Sequence, residues 1–307
     1  MADRAASLLA KIRNKSKEKG WNSMQSLQLF CQEEFIRRIN LSRYKDAFIL
    51  KGGLLIYVLS NFGSRTTRDA DFLVENISNS PERMREIISE IINTKSENDF
   101  VTFELVNLKE IAKEKKYKGV SAFLVAKIKN TRTGINIDFG FGDTIIPSPK
   151  TTTFPVQVEG FEKPTIRAYP LETIIAEKID AILDRMELTS RMKDYFDINF
   201  ILQNFDFDGT ILKEAINRTF ENRLRNYNVA RFQKVLLFHN DSSMDIKWHA
   251  FLRKAKLPEA SFQDVIANLQ QFLEMPMDAV FEAKDFTKEW NCKKRKWLNG
   301  INKNVPF

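Results

Sequence analysis

Histidine and cysteine are almost missing from this chain, whose 307 residues include two of each. So few imidazoles exclude most Ser-His-Asp, Cys-His and metal-His mechanisms and leave carboxylates and lysines to carry any chemistry. The same shortage argues against a zinc site. Cys31 and Cys292 could form at most one disulfide, and a reduced, cytoplasmic chain is the expectation. Long apolar runs are missing too: the longest is broken by charge within about ten residues, well short of a membrane span. Residues 1–20 are basic but carry no apolar core with a cleavage site behind it, so no secretory signal is read there. No repeat of fixed period is visible.

What is present is the composition of a folded protein, 43% hydrophobic and 29% charged, with a formal net charge of +8. The length allows two modest domains or one large one. The positive balance favours polyanionic partners; the bland alternative is a basic protein with no nucleic-acid role.

Hydrophobic periodicity predicts helices over 5–19 and from Asn22 or Ser23 to 40; Arg37, Arg38, Arg43 and Lys45 add positive charge before residue 48, on what reads as a solvated face. A short strand at 48–50 leads through a glycine turn into a helix ending at Leu59. A strand at 69–74 and a helix from Pro81 to about residue 93 follow. Extended segments are read at 100–106 and 121–129, with the lysine-rich stretch 109–119 between them as a loop or frayed helix. Residues 135–139 alternate cleanly as a strand. Four prolines up to residue 164 mark loops with short strands and place a domain boundary there. Helices are read at 170–187, 191–204 and, more loosely, through 211–220, 229–238 and 261–275. The fold class is α+β: an N-terminal lobe over 1–164 with a mixed sheet and leading helices in 1–45, then a helical lobe over 165–307.

The chemistry concentrates in 48–74. Asp69 and Asp71 are two residues apart on a strand and so share a face. Paired carboxylates repel unless a cation lies between them, and Mg²⁺ (or Mn²⁺) suits hard oxygen ligands plus substrate phosphates. Asp138, on a later strand, makes a third ligand for one or two metal ions. Gly52 and Gly53 let a phosphate approach backbone N–H groups at a helix start, with Lys51, Arg65 and Thr67 as further donors. In the later helices, Lys178 can reach a phosphate as a point charge, and Asp194 can orient that lysine or act as a general base. The final basic run, Lys293 to Lys296 next to Trp297, suits phosphate contact with base stacking, or is a solvated tail.

The order K-G-G, R-x-T-x-D-x-D, then I-D-F resembles nucleotidyltransferases of the DNA-polymerase-β type. Within them it resembles the AbiEii/AbiGii toxin family, which includes the MenT toxins. The first motif falls on Gly52, Gly53, Arg65, Thr67, Asp69 and Asp71, and the strand aspartate on Asp138. The later lysine and K-D-x-x-D motif falls on Lys178, Arg191, Lys193, Asp194 and Asp197. The resemblance covers roughly residues 45–202. Many polymerase-β-type enzymes have Gly-Ser where this chain has Gly52-Gly53, which leaves phosphate contact to backbone N–H groups or to Ser64.

The resemblance implies a bacterial toxin of an abortive-infection toxin–antitoxin pair, with an AbiEi-like antitoxin encoded beside it. It implies Mg²⁺-dependent transfer of a nucleotide from an NTP, GTP by association, to RNA, with the tRNA 3′ end as leading acceptor. The expected site is a cleft with Asp69, Asp71 and Asp138 on one wall and Lys178 and Asp194 on the other. Two other readings stand beside it: transfer of nucleotide or phosphate to a protein or small molecule, and a non-catalytic module that binds RNA or a partner.

Overall fold

The two-residue alternation and the 3.6-residue periodicity both survive into structure, and they separate along the chain. The structure is a computed structural model that describes residues 3–111, 119–188 and 191–299; most of the lysine-rich stretch, residues 112–118, lies outside the described residues. The chain divides into two compact units, Met1–Asp143 with Pro149–Tyr169, and Thr144–Ser148 with Pro170–Phe307.

The first unit opens with α1 (Arg4–Lys19) and α2 (Ser23–Leu41). Asn22 caps α2 by accepting from the backbone N–H groups of Met24 and Gln25, satisfying donors that a helix start leaves orphaned. α2 is buried all round from Leu29 to Ile39. Arg37 and Arg38, read from the sequence as part of a solvated face, are therefore inside the protein. Their i−3 and i−4 neighbours Glu33 and Glu34 neutralise them at 2.6 to 3.1 Å, which is what lets four charges be buried on one helix.

β1 (Phe48–Lys51) runs directly into α3 (Gly52–Leu59); β2 (Asp69–Val74) and α4 (Pro81–Asn93) follow. The remaining strands are β3 (Val101–Ile111), β4 (Gly119–Ile128), β5 (Thr131–Gly140), β6 (Lys150–Thr153) and β7 (Thr165–Ala168). They form one sheet in the order β3-β4-β5-β2-β1-β7-β6. The sheet is mixed, because β2 runs parallel to β5 and β1 parallel to β7 while the other pairs are antiparallel. Phe48, Phe72 and Phe139 pack together on its core face at 5.7 to 6.1 Å between centroids, Phe48 edge-on to the other two, with Phe35 of α2 6.3 Å from Phe72. Every second residue of the same strands points the other way, and there the polar residues gather.

The sequence pattern divides the chain at 164. β7 lies beyond that point yet pairs with β1, Ile49 against Arg167 and Leu50 against Ala168, so the first unit extends through Tyr169. Residues 144–148 join the second unit through the Thr173 hydroxyl, which accepts from the Ile146 N–H and donates to the Ile146 carbonyl.

The second unit is mainly helical: α5 (Leu171–Arg185), α6 (Met192–Asn204), α7 (Gly209–Asn222), α8 (Val229–Leu236), α9 (Ser242–Ala255) and α10 (Phe262–Phe281). A three-stranded sheet joins β8 (Phe207–Asp208) to the hairpin of β9 (Lys288–Asn291) and β10 (Lys296–Asn299). The hairpin occupies a stretch the sequence reading left as a tail. α10 passes through Pro276, beyond the expected end at 275. A proline cannot donate to the carbonyl four residues earlier, and here the freed Phe272 carbonyl accepts instead from Trp297 Nε1 at 2.9 Å. Both cysteines are free. Among the described residues, no helix is long and apolar enough to cross a membrane.

Candidate active site

Strand register builds the first half of the site. In the parallel β2–β5 ladder Asp71 lies opposite Asp138 and Asp69 opposite Asn136, while in the antiparallel β1–β2 ladder Lys51 lies opposite Asp71. Directly paired residues share a face, so one transverse row carries Lys51, Asp71 and Asp138, with Asp69 one pleat away. Asn136 Nδ2 donates to Asp69 Oδ1 at 3.4 Å.

The glycine turn closes over this row. Gly52 has φ +69°, a conformation that costs other residues about 1–2 kcal/mol. A Cβ there would also lie 2.9 Å from Asp71 Cγ, so glycine alone lets the carboxylate pack against the turn. At Gly53 a Cβ would meet Arg65 Nη2 at 3.1 Å and Thr67 Oγ1 at 3.3 Å. The start of α3, which no side chain caps, thus has a guanidinium and a hydroxyl beside its first turn. Backbone N–H groups, helix dipole, arginine and threonine are the groups that would make this turn a candidate anion cradle. The hydroxyl brought to Gly53 is that of Thr67; Ser64 Oγ turns to the Arg65 carbonyl at 3.5 Å. Gln28 and Gln32 of α2 hold the far end of this loop, both donating from Nε2 to the Arg68 carbonyl at 3.0 and 2.9 Å.

Lys51, expected to serve the nucleotide, is held within the protein. Its Nζ donates to Asp143 Oδ2 at 2.8 Å and to the Tyr169 hydroxyl at 3.3 Å, and lies 4.8 Å from the Tyr169 ring centroid. Asp143 and Tyr169 were not singled out in the sequence. The available signal for Asp143 was a carboxylate in the glycine-rich exit of the strand that carries Asp138. Tyr169 follows β7, and its backbone N–H donates to the Leu50 carbonyl, which sets it beside the end of β1. Asp143 brings a fourth carboxylate to this end of the sheet, its side chain 5% exposed.

Among the described residues, no three His, Cys, Asp or Glu side chains converge to enclose a metal ion by themselves. Mg²⁺ does not require such a cage, since it binds through one or two carboxylates and completes its octahedron with water and substrate phosphate. Asp71 and Asp138, in register beside the candidate anion cradle, fit that donor set, with Asp69 adjacent.

The later motif assembles in the second unit. Asp194 and Asp197, three residues apart on α6, face Lys178 of α5, whose Nζ donates to Asp194 Oδ1 at 2.9 Å and Asp197 Oδ2 at 2.6 Å. Arg191 Nε donates to Asp194 Oδ2 at 2.6 Å. Burial alone would push the Asp194 carboxyl up, but the cations Lys178 and Arg191 hold it at about 2. Such a carboxylate is a poor base and a good anchor, so of its two conceivable roles the geometry suits orienting Lys178. Lys178, read as lying on a polar helix face, is buried; Lys193 of the same motif is exposed.

A family model described as "Nucleotidyl transferase AbiEii toxin, Type IV TA system" matches residues 34–268. Two crystal structures from Helicobacter pylori are loosely similar. One, described as a candidate nucleotidyltransferase, is 13% identical, with a TM-score of 0.45 over 83% of this chain and 95% of that one. The other, JHP933, is 14% identical, with a TM-score of 0.43 over 82% of this chain and 91% of its own. No curated protein matches the sequence.

Proposed function

Because this chain belongs to the AbiEii family, the nucleotidyl transferase toxins of type IV toxin–antitoxin systems, we propose that it transfers a nucleoside monophosphate from an NTP to an RNA 3′ hydroxyl. GTP is the nucleotide and the tRNA 3′ end the acceptor in this reading, and Mg²⁺ the cofactor. The observation that supports it most is the register pairing of Asp71 with Asp138 beside the Gly52–Arg65–Thr67 cradle.

The nucleotide's phosphates bind at the start of α3, against its first-turn N–H groups and the Arg65 and Thr67 donors. Asp69, Asp71 and Asp138 would hold the divalent cation, which when bound neutralises the triphosphate and lowers the pKa of the attacking hydroxyl. The acceptor 3′ hydroxyl gives up its proton to solvent as its oxygen attacks the α-phosphorus, the bond from that phosphorus to the oxygen bridging to the β-phosphate breaks, and pyrophosphate leaves. Asp143 and Tyr169 keep the Lys51 ammonium in the carboxylate row, where it limits repulsion among the aspartates. Lys178 and Asp194 are assigned to the same reaction by the family motif, Asp194 fixing the lysine's direction. Growth arrest follows from capped acceptor ends, and the paired antitoxin relieves it.

Incubation with each α-labelled NTP, Mg²⁺ and total tRNA tests this reading. The expected result is label on tRNA, strongest with GTP, abolished by chelator and by Asp71→Ala. Label on protein or a small molecule in place of RNA would move the acceptor, and equal transfer by Asp71→Ala would sink the assignment.

A further inference from the structure

The basic run Lys293 to Lys296 is not a tail but lies in the turn of a hairpin. β9 and β10 pair in register from Lys296 against Asn291 to Asn299 against Lys288. The hairpin is fixed through its tryptophans. Trp290 is buried and donates from Nε1 to the Leu202 carbonyl in the last turn of α6 at 2.7 Å. Trp297 takes the Phe272 carbonyl that Pro276 frees, and its ring stacks on Phe272 at 13° and meets Phe286 at 4.8 Å. That ring is half-buried and packed against Phe272, Phe286 and Trp290. The turn itself is preformed: Asn291 Oδ1 accepts from the Lys294 N–H and Asp206 Oδ1 from the Cys292 N–H, both at 2.8 Å, and Arg295 takes φ +51°.

This rigid turn holds up Lys293, Lys294, Arg295 and Lys296, four consecutive exposed cations. Among the described residues none of the four has a salt bridge, although Lys293 lies close enough to Asp206 to help lower its carboxyl. Four like charges on a tight turn repel one another, and a row of phosphates would relieve that repulsion while releasing counterions. Because the backbone is already ordered, binding would freeze only side chains. A membrane-surface element would place apolar groups at its tip; here the apolar groups face inward and the tip is cationic. We propose that this hairpin turn is an anchor for the RNA sugar-phosphate backbone, distinct from the nucleotide site. The proposal rests on the reading of RNA as acceptor.

The test uses the full chain, a fluorescein-labelled single-stranded RNA and total tRNA, with anisotropy titrations across salt concentration. K293Q/K294Q/R295Q/K296Q should weaken RNA binding by about tenfold or more and flatten the slope of log K against log salt by about 2, the value for roughly three lost phosphate contacts on a single strand. A charge-preserving variant, K293R/K294R/R295K/K296R, should bind like wild type, and near-ultraviolet circular dichroism should show the tryptophan cluster intact in both. Unchanged affinity and slope in the glutamine variant overturn the anchor. So does a wild-type chain that binds anionic phosphatidylserine vesicles through this turn and RNA independently of it. If wild type labels RNA while the glutamine variant binds and labels equally, the anchor fails and the transfer reading stands. If RNA binding depends on the turn but no label is transferred, the anchor stands and the transfer reading fails.

Discussion

Two charged regions of the first unit obey opposite logic. On α2, two carboxylates meet two guanidiniums, and the surplus hydrogen-bonding capacity goes to neutral groups. Glu34 accepts from Ser96 Oγ at 2.6 Å and Asn98 Nδ2 at 2.7 Å, Arg37 donates to the Glu162 carbonyl, and Arg38 donates to the carbonyls of Ile92 and Val101. That network is balanced and buried, and it ties the last turn of α4, the start of β3, the segment between them and the loop at Glu162 to one helix. At the end of the sheet, Asp69, Asp71, Asp138 and Asp143 gather with Lys51 among them and Arg65 at the adjoining turn. Acid is in excess there, beside the glycine turn at the start of α3. Charge balance thus separates a neutralised network from a row with carboxylate to spare, the row to which the proposed reaction would bring a cation. By the same measure Lys178 and Arg191 with Asp194 and Asp197 resemble α2 more than they resemble the sheet row.

The largest expected effect lies on the acid-rich side. Asp71→Asn should lower nucleotide transfer by about 10³- to 10⁴-fold, corresponding to several kcal/mol of metal-assisted stabilisation, while thermal unfolding shows the variant no less stable than wild type. A large loss of stability in that variant would erase the distinction between the two regions.

Next comes the balanced side. Arg37→Met strands the Glu33 charge inside the protein and leaves Glu34 to Arg38 alone, and the expected cost is about 3–5 kcal/mol in denaturant unfolding. Specific activity of the fraction that remains folded should be near wild type.

The α5–α6 cluster sharpens the comparison through pH. The Asp194 carboxyl is held at about 2 against an ordinary 3.8. A carboxyl depressed on folding stabilises the protein above its unfolded value and loses that contribution as pH falls through the folded one. Asp194→Asn should therefore be less stable at neutral pH by about 2 kcal/mol, and its gap to wild type should close between about pH 4 and pH 2. If Lys178 also serves the reaction, its kcat should fall at neutral pH by more than the unfolded fraction explains. A loss of stability alone would leave the cluster purely structural.

The smallest effect is at the turn. Gly52→Ala forces a left-handed residue and crowds Asp71, for about 1–2 kcal/mol of destabilisation. Its mark should be a raised KM for the nucleotide as well, because the displaced carboxylate borders the cradle. An unchanged KM would separate the turn from phosphate binding.

Much of this was legible in the sequence because it is local. The alternation of DADFLV and INIDF assigned Asp69, Asp71 and Asp138 to one kind of face before any pairing was known. Asn22 and Pro81 announced helix starts, and the K-D-x-x-D run picked out Asp194 and Asp197. Arg37 and Arg38 were misjudged because i,i+4 ion pairs look alike on a surface and in a core; only the depth of α2 distinguishes them. The hairpin at 288–299 was missed because its turn has no Asn-Gly or Asp-Gly signal, only an Asx cap and a left-handed arginine.

By itself, then, the sequence determined the periodicities, the caps, the glycine that alone tolerates its conformation, and the acid-rich motifs. Each depends on neighbours within a few residues, where backbone sterics and helix or strand geometry act directly. The tertiary structure alone decided that Asp71 lies opposite Asp138, sixty-seven residues away, that Asp143 and Tyr169 capture Lys51, and that the carbonyl freed by Pro276 receives Trp297. Those outcomes depend on strand register and on which distant surfaces bury one another, and long-range packing sets both.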